Sequence, residues 1–120
     1  MLAVGELLLD GVDERTQKMT TGFSGGIGRK ERDMCGGFSA GVMLIGALYG
    51  RTKPDQEEEP CMRLCTNFRD RFVEAFGTLN CHELRTKKNF GSNGDTPCWV
   101  LVERTVYLFF AVLEDDLSES

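Results

Sequence analysis

GFSGGIGRKERDMCGGFSAGVMLIGALYG, residues 22–50, joins a glycine-rich loop to an uncharged helix and sets Cys35 at the junction. Gly22, Gly25, Gly26 and Gly28 let the loop backbone take positive φ or approach another group closely, which residues with a Cβ do only at a cost. Beyond Asp33, Phe38, Val42, Ile45 and Tyr49 recur at helical spacing, with Met34, Met43 and Leu48 beside them. The spacing predicts a buried central helix with Cys35 in its first turns. A thiol there meets the positive end of the helix macrodipole, with Arg29, Lys30 and Arg32 close in sequence, and both effects favour thiolate. The chemistry this suggests is redox or metal ligation. Gly37, Gly41 and Gly46 equally predict close packing against a neighbouring helix, and a buried inert thiol is the structural alternative for Cys35.

Outward from this stretch the remaining segments also read as helices. Residues 2–9 form a short apolar helix that begins abruptly, and Asp10-Gly11 is a turn signal. Asp13 and Glu14 open a peripheral helix running to about residue 21, with Gly22 suited to cap its end. Residues 51–59 are polar and acidic and predict a connecting loop. Pro60 suits a first helical position, after which Cys61, Cys65, Phe68, Phe72 and Phe76 share one face up to Gly77. A short turn at Cys81 leads into a loop rich in Lys, Asn and Gly. The last helix is predicted to be capped by Asp95 or Thr96, to hold Pro97 in its first turn, to carry Cys98, Trp99 and Val102 and then Val106, Phe109 and Phe110, and to end near Asp115. The fold class is all-α: one domain over residues 1–120, a small bundle of four to five helices with the glycine loop before the central one.

A chain of 120 residues with net charge −5 lacks the clustered Lys and Arg that a nucleic-acid or anionic-membrane surface needs. The uncharged run 34–50 falls short of the ~18–20 residues of a membrane span, so membrane association is not expected. Met1-Leu2-Ala3-Val4 has no basic lead-in and soon meets Glu6 and Asp10, which predicts a cytoplasmic protein with reduced thiols. Of the five cysteines, Cys61 and Cys65 lie on the phenylalanine stripe and are expected in the core. Cys35, Cys81 and Cys98 all fall at helix starts beside loops, where a ligand or redox thiol is expected. His82 is assigned to the surface. No Cys-x-x-Cys, phosphate loop or nucleotide fingerprint occurs.

With Cys35-Gly36-Gly37-Phe38-Ser39-Ala40-Gly41 after GFSGGIGR, and Asn80-Cys81-His82-Glu83-Leu84 later, the chain resembles the redox-active proteins named for four cysteines and a CGAxxG motif. Gly37 replaces the motif's alanine and Ala40 its final glycine, small for small. The resemblance implies a small helical domain whose cysteines act in redox chemistry or hold an iron-sulfur or other metal centre. Cys35, Cys81 and Cys98 match three of the family's four cysteines. The fourth, normally in an N-terminal helix, has no counterpart here, and a cluster generally takes four ligands.

The expected site is therefore a common pocket of Cys35, Cys81 and Cys98, serving as redox thiols or as ligands of a single metal ion or an iron-sulfur cluster. Gly25, Gly26, Gly28 and Gly36 shape the cover over the cofactor. A homodimer and a redox partner protein are the expected partners. The competing expectations are an interaction module with inert cysteines and a binder of small anions through residues 29–32.

Overall fold

The computed structural model describes residues 2–88, 90 and 96–119. Among these residues six helices follow one another, α1 Leu2–Leu9, α2 Glu14–Thr20, α3 Gly36–Tyr49, α4 Glu59–Phe76, α5 Cys81–Thr86 and α6 Cys98–Glu119, with a 3-10 turn Thr21–Phe23 after α2. Among the described residues there is no strand, and the all-α class holds. The turn expected at Cys81 is a helix in its own right, which brings the count to six.

The core is built by α3, α4 and α6. Helix α4 buries Cys61, Leu64, Phe68, Phe72 and Phe76, one apolar stripe at helical spacing. Pro60 lies in its first turn, where its missing N–H costs nothing, and Gly77 closes it at φ +86°, its N–H donating to the Val73 carbonyl. Helix α3 buries Phe38, Ser39, Gly41, Leu44 and Ile45, and meets this stripe through Phe38 and Gly41. Gly41 has a clear role, since a Cβ there would collide with the Phe68 ring. The absent side chain lets that ring lie on the α3 backbone and stack on Phe38 with centroids 5.0 Å apart. Phe72 and Phe109 meet Phe68 edge-on at 6.4 and 5.9 Å.

The periphery follows its local signals. Asp13 caps α2 by accepting from the Thr16 N–H at 2.9 Å, and α2 buries none of its residues. Helix α2 stops at Thr20 and Gly22 belongs to the 3-10 turn, so the expected glycine cap is replaced by Thr21. One further expectation, the end near Asp115, is corrected in α6. The helix buries Leu101, Thr105, Phe109, Val112 and Leu113 while Trp99 and Val102 stay exposed, and it continues past Asp115 to Glu119. Its first half is apolar nearly all round, so spacing does not choose a face; packing against α3 and α4 does. The Asp95 cap lies outside the described residues. No helix among them is long and apolar enough to cross a membrane.

Candidate functional site

Cys35 and Cys81 are brought together by backbone. The Cys35 N–H donates to the Leu79 carbonyl and the Cys81 N–H to the Asp33 carbonyl, both at 2.8 Å, with Met34 and Asn80 opposed in an antiparallel bridge. Asn80 locks the junction. Its Oδ1 caps α5 by accepting from the Glu83 N–H at 3.0 Å, and its Nδ2 donates to the Arg32 carbonyl at 3.0 Å. Cys35 itself is the residue at the α3 N-terminus, and Cys81 is the first of α5. Cys98 opens α6, two residues beyond Thr96, which pairs with buried Phe90. All three sulfurs thus stand at helix starts.

The glycine loop winds the wrong way for an L-peptide. Gly25, Gly26, Ile27, Gly28, Arg29 and Glu31 have φ between +57° and +70°, three of them with side chains. Each non-glycine residue held there costs on the order of 1 kcal/mol. The Arg29 N–H donating to the Ser24 carbonyl at 3.0 Å and the Glu31 N–H to the Gly25 carbonyl at 2.9 Å hold the turn in place. A Cβ on Gly26 would stand 2.6 Å from that of Cys81, so the buried Gly26 lets the loop press onto the thiol.

Beneath the loop lies an open cavity of about 700 Å³. Cys35, Cys81 and Cys98 line it together with Arg29, Glu31 and Arg85, over an apolar floor that includes Met43 and Leu101. Of the four glycines assigned to the cover, Gly25 and Gly36 line the cavity, Gly26 packs behind it on Cys81, and Gly28 faces open space.

The electrostatics correct one expectation. Burial pushes the Cys35 thiol up from its ordinary range; the Phe38 and Gly37 amides pull it down, and Cys81 and Cys98 push it up again, for a net rise. Desolvation outweighs the helix start, so Cys35 favours the thiol, not the thiolate. Cys35 and Cys81 are 8 % and 7 % exposed, while Cys98 is only half-buried. Arg85 enters as a residue that sequence patterns did not single out. Burial draws its proton affinity down, but the Cys81 sulfur, Cys98 and Glu31 raise it further, and it stays a cation. Its Nη1 pairs with Glu31 at 3.0 Å, and its buried Nε meets no acceptor among the described residues. Its signal in the sequence was its place one turn after Cys81, hence on the same side of α5.

The other thiols lie elsewhere. Cys61 and Cys65 follow the α4 stripe, where burial, and then the neighbouring Cys61, push Cys65 up to about 11. His82 is exposed. Among the described residues no three of Cys, His, Asp and Glu are grouped so as to hold a metal ion. With a guanidinium set among the thiols, this donor set as arranged does not fit a metal ion or a cluster.

The profile of the family described as "putative redox-active protein (C_GCAxxG_C_C)" matches residues 1–111. No curated protein and no solved structure matches the chain. The match spans the glycine loop, the motif helix and all three cavity cysteines, and on that ground the chain belongs to the C_GCAxxG_C_C family of redox-active proteins.

Proposed function

We propose that the protein exchanges its cavity thiols with small disulfides. The reading is carried by one observation: thiols far apart in the chain, Cys35, Cys81 and Cys98, line one cavity around the Arg85 cation. Cys98 is the most accessible of them and meets the incoming disulfide first. Its thiolate sulfur attacks one sulfur of R–S–S–R; that bond breaks, and RS⁻ leaves and takes up a proton. Cys81, beside Arg85, then gives up its proton and attacks the Cys98 sulfur, closing a Cys81–Cys98 disulfide; the second RS⁻ leaves, takes up a proton and is released as RSH. Two protein thiols thereby lose two electrons and two protons, and one disulfide becomes two thiols. Cys35, protonated by its burial, is the slower third partner.

Fully reduced native protein treated with a disulfide redox buffer should form one disulfide per chain, found by peptide mapping between cavity cysteines, with Cys61 and Cys65 still thiols. Native cavity cysteines that stay inert while the unfolded chain reacts would refute it. Stoichiometric metal after anaerobic purification, lost on Cys81→Ser, would replace it by the ligation reading, in which the three sulfurs close up and a fourth donor comes from outside. Exposed Trp99 and Tyr107 on α6 favour a second reading, a self-associating module. Sedimentation showing a dimer that Trp99→Ser with Tyr107→Ser dissolves would support it. Reduced thiols suit the cytoplasm, the compartment we infer.

A further inference from the structure

We propose that the cavity selects small disulfides that carry carboxylates. This rests on the thiol-exchange reading above and names its substrate class. The cavity volume of about 700 Å³ suits a small molecule rather than a folded protein.

The charges choose among small molecules. Two arginines, Arg29 and Arg85, line the cavity against one acidic residue, Glu31. Arg85 already faces Glu31 and the Cys81 sulfur, yet its Nε meets no acceptor among the described residues. Arg29 makes no ion pair among the described residues and stands exposed on the left-handed turn. Hydrogen bonds from its own N–H to Ser24 and from Glu31 to Gly25 fix where both charged residues are presented. The cavity is thus a locally positive place on a chain of net charge −5. At physiological ionic strength the acidic body is screened beyond roughly 8 Å, whereas Arg29 and Arg85 line the cavity itself and act at short range on what enters it. A carboxylate reaching Arg29 holds the disulfide bond over Cys98; the carboxylate takes no part in the exchange, whose bonds and electrons are those given above.

The test uses the full reduced chain and three probes: 3,3′-dithiodipropionate, 2-hydroxyethyl disulfide and cystamine, which are anionic, neutral and cationic. Each rate is divided by that of the same probe with the urea-unfolded chain, which removes intrinsic reactivity. The anionic probe should lead the cationic one by about tenfold. Arg29→Gln should cut that preference by roughly threefold or more, and Glu31→Gln, which removes the opposing charge, should raise it. Opposite shifts in the two variants cannot both come from a damaged fold. Equal normalised rates for all probes, or an order unmoved by both variants, would overturn the selectivity and leave thiol exchange standing. Failure of every probe to oxidise the native chain, while all oxidise the unfolded one, would instead bring down the thiol-exchange reading.

Discussion

Cys61 and Cys65 sit on α4 among Leu64, Phe68 and Phe72, whereas Cys35, Cys81 and Cys98 each stand where a helix begins and share a cavity with Arg85. The same side chain therefore has two roles in one small protein. On α4 a thiol is one more apolar group in a stripe, and burial there favours the protonated form of Cys65. At the helix starts, loops that end there gather the thiols together with charge and open space. What separates the sets is backbone placement and not residue type.

The largest way to break this contrast is to open the α4 side. Phe68 has no exposed surface and touches rings on α3, α4 and α6. Phe68→Ala should cost about 3–5 kcal/mol in urea unfolding and should make Cys61 and Cys65 reactive toward iodoacetamide in native buffer. If those two cysteines stay protected in a measurably destabilised variant, their inertness does not come from the core.

A smaller change strikes the cavity side alone. Gly26→Ala forces a Cβ against Cys81 at φ +70° and should cost about 1–3 kcal/mol. The Cys81–Cys98 oxidation should slow while Cys61 and Cys65 remain shielded. Unchanged oxidation would mean that the glycine loop does not position Cys81.

The smallest effect is one of pH. Cys65 in the folded chain titrates near 11, above the ordinary 9.0, so folding favours its protonated form. That contribution to stability is complete below pH 9 and is lost as pH rises toward 11. Unfolding midpoints of the native chain should fall across this window, and Cys65→Ala should flatten the fall; equal slopes would show that Cys65 does not set it.

Much of the scaffold was legible because local signals agreed with packing. The phenylalanine spacing of α4, Pro60 at its start and Gly77 at its end act through neighbours within a turn or two, and so does the Asp13 cap of α2. The helix-start positions of the three cysteines were readable for the same reason. The inward face of α6 was not, since Trp99 and Val102 are as apolar as Leu101 and only the partner helices decide which is covered. Nor was the protonation of Cys35: the dipole and the nearby basic residues could be read from sequence, but the desolvation that outweighs them is a property of the assembled core.

By itself, then, the sequence determined the all-α class, the Asp13 and Gly77 caps, the phenylalanine core and the family, because these depend on spacing along the chain. Tertiary structure alone decided that Arg85 and Glu31 enter the thiol cavity, that Ile27, Arg29 and Glu31 take left-handed φ, and that residues 33–35 pair with 79–81. The first and last of these are meetings of groups distant in sequence. Their free energy comes from contacts and desolvation that exist only once α3, α5 and α6 have closed around the same space.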